Sequence, residues 1–166
     1  MARLVLVGLP GTGKSTLARR LGKSWGCAVV DTDDVLSASV GCSPGQYLRT
    51  SGVDAFRREE LAALRCAVVL DAVVATGGGV VSTPEARALL RSQITVWLDC
   101  SDEVLAARVG DGDRPLLGDD PPHAIAALRL ERESLYREVS IARVDTSGDL
   151  DEAMERVQEA LAKVSR

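Results

Sequence analysis

The sequence predicts an α/β fold in three layers, a five-stranded parallel sheet flanked by helices. Three observations predict it. Short runs of aliphatic and β-branched residues alternate with longer helical stretches. Those runs read as continuous apolar segments, as strands covered on both faces do. The chain has 166 residues, of which 46% are hydrophobic and 27% charged. That is enough for one domain with a substantial core, short for two, and too apolar for a disordered chain.

The first strand is expected at Leu4–Val7 and runs straight into Gly8-Leu9-Pro10-Gly11-Thr12-Gly13-Lys14-Ser15. This octapeptide fits G-x-x-x-x-G-K-[ST], the phosphate-binding P-loop. Its glycines let successive N–H groups turn inward on phosphate oxygens. The helix Lys14–Leu21 adds its positive N-terminal end. Lys14 is expected near the β- and γ-phosphates, and Ser15 offers a hydroxyl to Mg²⁺. A dinucleotide-binding reading fails, because no third glycine follows Gly11-Thr12-Gly13.

Further strands are expected at Cys27–Val30, Val73–Ala75, Ile94–Leu98 and Ile141–Val144, and further helices at Asp34–Ala38, Val53–Leu70, Pro84–Arg91, Asp102–Val109, His123–Val139 and Leu150–Val164. Ser101 stands where an N-cap belongs, and Pro84 sits in a first helical turn. Pro44 and Gly45 weaken a helix between residues 43 and 48. The last helix carries Leu150, Met154, Val157, Leu161 and Val164 on one stripe, which assigns it to packing. The segment 110–122 holds three glycines, three prolines and four aspartates around Arg114. A loop of that length in a compact domain reads as a lid closing over phosphates.

The net charge of −4 argues against a nucleic-acid surface. A local arginine cluster still accommodates a small anion, and arginine suits bidentate recognition of carboxylate and phosphate. Lysine occurs only at positions 14, 23 and 163. The four cysteines form no C-x-x-C pair and there is one histidine, so metal-ligand spacing is absent. Cys27, Cys66 and Cys100 read as buried small hydrophobes and Cys42 as a loop thiol, all in a reducing compartment. No signal peptide or membrane-spanning run is visible, which makes the cytoplasm the expected location.

Three further constellations carry chemistry. Asp31-Thr32-Asp33 follows the second strand, and in extended chain its two carboxylates point to one side at the sheet edge where α/β folds bind ligands. One of the acids at 31, 33 and 34 can also be explained as a helix N-cap. Gly77-Gly78-Gly79 follows the third strand, where three side-chain-free residues suit close backbone approach to a ligand. Arg57 and Glu60 are i,i+3 neighbours, and taken alone they, like Arg132, read as an exposed ion-pair face.

In this order, the P-loop, D-T-D, F-R-R-x-E, T-G-G-G, D-R-P-L-L and R-x-x-L-Y resemble the shikimate kinases, from Leu4 to about Thr146. The resemblance implies a single P-loop kinase domain with sheet order 2-3-1-4-5, a substrate-binding segment at about 33–61 and a lid at about 110–122. It implies transfer from Mg²⁺-ATP to the 3-hydroxyl of shikimate by a monomer. Carried over by position, Gly11, Thr12, Gly13, Lys14, Ser15 and Thr16 would hold ATP, with Arg108 stacking on adenine. Ser15 and Asp31 would serve Mg²⁺. Asp33 would bind the substrate hydroxyls and act as base, and Arg57 and Arg132 would hold the carboxylate. Gly78 and Gly79 would offer backbone to substrate, and Arg114 would reach the transferring phosphate.

Gly52-Val53-Asp54-Ala55 and Ser43–Leu48 depart from the family pattern along the expected pocket wall. They keep a second acceptor class open, a related polyol acid or cyclitol on the same scaffold. A switch GTPase is excluded by the absence of any asparagine for an N-K-x-D motif. A nucleoside monophosphate kinase is disfavoured by a lid with one arginine.

Overall fold

The computed structural model describes residues 1–109 and 120–164. Five strands, β1 (Leu4–Val7), β2 (Ala28–Asp31), β3 (Ala72–Ala75), β4 (Thr95–Asp99) and β5 (Ala142–Asp145), form one sheet of order β2-β3-β1-β4-β5. All four pairings are parallel, with Leu6 opposite Ala75 and Val96 and with Asp99 opposite Asp145. Every strand therefore ends at the same edge, and the segments that follow β1 to β5 meet there.

Among the described residues seven helices surround the sheet: α1 (Lys14–Trp25), α2 (Thr32–Val40), α3 (Pro44–Val68), α4 (Pro84–Arg91), α5 (Asp102–Val109), α6 (Pro121–Val139) and α7 (Leu150–Val164). Alternation along β1 sends Leu4 and Leu6 to one face and Val5 and Val7 to the other. Leu4 and Leu6 pack with Leu17 and Leu21 of α1 and Val157 of α7. Val5 and Val7 pack with Leu64 of α3, Leu90 of α4, Leu105 of α5 and Tyr136 of α6. A smaller cluster of Leu36, Phe56 and Ala63 joins α2 to α3.

β1, β3 and β4 are buried throughout. The edge strands β2 and β5 are not, contrary to the expectation of cover on both faces. Among the described residues each has one neighbouring strand, and β5 carries an exposed Arg143 and Asp145.

The helix expected from Val53 begins nine residues earlier, at Pro44. Ser43 caps it by accepting from Gln46 N at 3.2 Å, and Pro44 occupies the first turn, where its missing N–H costs nothing. Gly52, at φ 81° and ψ 171°, breaks α3 into two segments. Asp31 is the N-cap of α2, so Asp33 lies in a helical turn rather than in extended chain. Pro121 and Pro122, read as the end of the lid, are the first residues of α6, capped by Asp120. Residues 110–119 of that lid, Arg114 included, lie outside the described residues. Cys100 is buried and Cys27 and Cys42 are half-buried, but Cys66 is exposed because it falls on the outer face of α3. Among the described residues no helix is long and apolar enough to cross a membrane.

Candidate active site

The P-loop is held between β1 and α1. Thr12 closes its turn by donating N and Oγ1 to Leu9 O at 3.3 and 2.8 Å. Gly13, in the left-handed region at φ 85°, leads into α1, and no side chain caps the first N–H groups of that helix. Those N–H groups and the helix dipole suit an anion. The buried Lys14 donates Nζ to Gly8 O at 2.8 Å and to Leu9 O at 2.9 Å, which holds its ammonium on the loop. The loop lines a cleft of about 590 Å³ shared with Asp33, Thr76, Gly78, Arg108, Thr146 and Leu150. Gly11, Thr16 and Ser15 line it as well, and its volume suits a small-molecule ligand.

Ser15 Oγ donates to Asp31 Oδ2 at 2.5 Å, and Asp31 Oδ1 accepts from Asp33 N at 3.0 Å. A hydroxyl and a carboxylate thus stand side by side at the cleft. This oxygen pair suits Mg²⁺, which takes one or two protein ligands and completes its shell with water and phosphate. Among the described residues there is no group of three or more His, Cys, Asp or Glu able to hold a metal alone.

On the other side of the cleft the three glycines each meet a different partner. A β-carbon on Gly77 would stand 2.9 Å from Asp33 Oδ1 and from Glu60 Oε1, and one on Gly78 would stand 2.8 Å from Pro10 Cδ. One on Gly79 would stand 2.1 Å from Arg57 Nη1. The loop therefore packs against the P-loop and against three charged side chains at once, and a side chain at any of the three positions would displace a neighbour. Gly77 N donates to Thr32 Oγ1 at 3.1 Å, which ties this loop to α2.

Arg57 Nη1 donates to Glu60 Oε2 at 2.6 Å, with the two side chains 18% and 4% exposed. This is a semi-buried pair facing the glycine loop, not the exposed ion-pair face that spacing alone suggests. Burial pushes the Glu60 carboxyl above its ordinary range, against the pull of Arg57. Arg132, only 3% exposed, donates Nη1 to Gly78 O at 3.2 Å. The Tyr136 hydroxyl donates to the same carbonyl, and burial pushes its phenol up. Arg108 reaches from α5 to donate Nη2 to Thr146 O at 2.8 Å, at the cleft's far wall.

Lys14, Ser15, Asp31 and Asp33 are thus brought to one cleft, and Arg57, Arg132, Gly78 and Gly79 gather at the adjoining glycine loop, with Asp33 and Gly78 common to both. Thr76, Tyr136, Thr146 and Leu150 are not assigned to a site by the sequence reading, and Glu60 enters it only as the ion-pair partner of Arg57. Tyr136 sits inside a motif read for its arginine alone. Leu150 was assigned to packing with the rest of α7, yet it also lines the cleft. The position of Thr146, at the end of the last parallel strand, was the available signal for it.

Comparison with known proteins accords with this geometry. The family model described as shikimate kinase matches residues 10–162. The shikimate kinase of Mycobacterium ulcerans (strain Agy99) is 42% identical over 148 residues, covering 87% of this chain and 80% of that protein. The shikimate kinase of Corynebacterium efficiens is 40% identical over 151 residues, covering 89% of each. Among solved structures, the shikimate kinase of Acinetobacter baumannii in complex with shikimate superposes with a TM-score of 0.88 at 30% identity, covering 97% of this chain and 91% of that one. A family match across most of its length, carried on the same sheet order, means that this chain belongs to the shikimate kinase family.

Proposed function

We propose that this protein transfers the γ-phosphoryl group of ATP to the 3-hydroxyl of shikimate, releasing shikimate 3-phosphate and ADP. One observation carries the reading. The glycine loop packs on Pro10 of the P-loop while Asp33, Glu60, Arg57 and Arg132 converge on it, so an acceptor site adjoins a phosphate site.

The P-loop N–H groups and Lys14 hold the β- and γ-phosphates. Ser15 and Asp31 would serve Mg²⁺, which when bound would neutralise charge on the phosphates. Arg57 and Arg132 bind the acceptor carboxylate; each guanidinium keeps donors beyond those already engaged. Asp33 accepts a hydrogen bond from the 3-hydroxyl, aims it at the γ-phosphorus and takes up its proton as the new P–O bond forms. Backbone at Gly78 and Gly79 borders the acceptor. Arg108 and Leu150 flank the nucleotide. Arg114 is proposed, from sequence, to offset charge on the transferring group. The free cysteines suit a reducing cytoplasm, and the acceptor and nucleotide sites are both built within one chain, as in a working monomer.

The test is a coupled ADP-release assay with Mg²⁺-ATP, offering shikimate, quinate, gluconate, an uncharged cyclitol and AMP. Turnover with shikimate alone is expected. Preferential turnover of another acceptor would retain the phosphoryl-transfer machinery and reassign the pocket.

A further inference from the structure

Arg132 and Tyr136 are one helical turn apart on α6, and both aim at a single backbone oxygen, that of Gly78. A carbonyl has two lone pairs, so the two donors saturate it. The peptide between Gly78 and Gly79 is trans and planar, so its N–H points opposite to its C=O. With the oxygen drawn toward α6, the Gly79 N–H is directed away from α6, and the Arg57 guanidinium lies where a β-carbon on Gly79 would stand.

The phenol that does this has little freedom. Tyr136 is 1% exposed, and its ring stacks on Trp97 with centroids 5.9 Å apart and planes 21° apart. Trp97 is covered in turn by the guanidinium of Arg143, 4.9 Å from its ring, which pairs with Asp99 at 2.6 Å. The stack runs from β5 through β4 to α6 and ends on the glycine loop.

We propose that Tyr136 is a positioning residue for the acceptor: its hydroxyl fixes the orientation of the Gly78–Gly79 peptide, so that the Gly79 N–H and Arg57 face the acceptor together, and it leaves Arg132 free to share its remaining donors with the acceptor carboxylate. Without that hydroxyl, Arg132 is the sole donor seen on Gly78 O and is drawn toward it. The role concerns the acceptor more than the nucleotide, because Tyr136 does not itself line the P-loop cleft and reaches it only through Gly78 O.

This inference rests on shikimate being the acceptor. The experiment therefore begins with wild-type turnover of shikimate, and its absence overturns both readings. Tyr136→Phe keeps the ring and its stack on Trp97. It is expected to raise the KM for shikimate about tenfold, as for loss of one orienting hydrogen bond, with the KM for ATP within about twofold of wild type. Calorimetry should show the same weakening for shikimate without nucleotide. An unchanged shikimate KM, or equal rises for shikimate and ATP, overturns the role of Tyr136 while leaving the proposed activity intact. A second measurement needs no Tyr136 variant. The chain has two tyrosines, so 3-fluorotyrosine labelling with Tyr47→Phe isolates the Tyr136 fluorine signal. That signal is expected to shift with shikimate and to stay put with ADP alone; a signal blind to shikimate overturns the proposal.

Discussion

Arg57 and Gly79 occupy adjoining space so closely that a β-carbon on the glycine would stand 2.1 Å from Nη1 and 2.5 Å from Nη2 of the arginine. Gly79 itself has an ordinary backbone, at φ −94° and ψ 0°. The requirement for glycine is therefore spatial and not conformational. The obstacle is the far end of a flexible side chain, so Gly79→Ala should fold with little loss of stability while pushing Arg57 out of place. We expect the KM for shikimate to rise at least about tenfold and that for ATP to change little. Steady-state kinetics alongside thermal unfolding checks this; parallel loss of stability and activity would count against it.

Asp33 lines the cleft with Lys14 and lies against Gly77. If it orients the hydroxyl and accepts its proton, Asp33→Asn should lower kcat by about 10²–10⁴. ATP affinity and the fold should survive, as read by nucleotide titration and circular dichroism. Near-normal kcat would remove Asp33 from the chemistry.

Asp31 has two separable tasks, capping α2 and standing beside Ser15. Asparagine caps a helix about as well as aspartate, whereas alanine costs about 1 kcal/mol. Asp31→Asn should therefore keep wild-type stability yet need more Mg²⁺ for half-maximal rate. Asp31→Ala should show both defects. Unaltered Mg²⁺ dependence in both variants would assign Asp31 to capping alone.

Glu60 is a carboxyl that burial raises above the ordinary value of 4.5, with Arg57 opposing the rise. A raised carboxyl favours its protonated form in the folded state. Its penalty is absent below the unfolded value, grows as pH rises from there to the folded value, and is constant above. Glu60→Gln removes the titration and keeps an acceptor for Arg57. Urea unfolding across about pH 4 to 8 should thus lose a component that weakens wild-type stability with rising pH. Identical pH slopes in the two proteins would refute the assignment.

Much of the fold was legible because it rests on local chemistry. Three helices, α4, α5 and α7, lie at their expected residues, since Pro84, Ser101 and the apolar stripe of α7 are signals within one turn. The start of α3 was misread for the same reason. Pro44 weakens a helix interior but suits a first turn, and Ser43 capping Gln46 N decides which applies. The exposed Cys66 and half-covered β2 and β5 depend on which neighbour lies across each element, which no local pattern records.

By itself the sequence determined the candidate phosphate site, because the P-loop motif is eight consecutive residues legible without any distant partner, and it determined the alternation of strands and helices. The resemblance of its ordered motifs to the shikimate kinases supplied the sheet order. Only the tertiary structure decided what the scattered charges do. Arg57, Glu60, Arg132 and Tyr136 span two helices far apart in the chain, and at that separation an interior ion pair and a surface one have the same spacing. Packing around Gly77, Gly78 and Gly79 draws them together, and burial there changes their meaning: a charge removed from water must be paired and hydrogen-bonded, so its partners become specific.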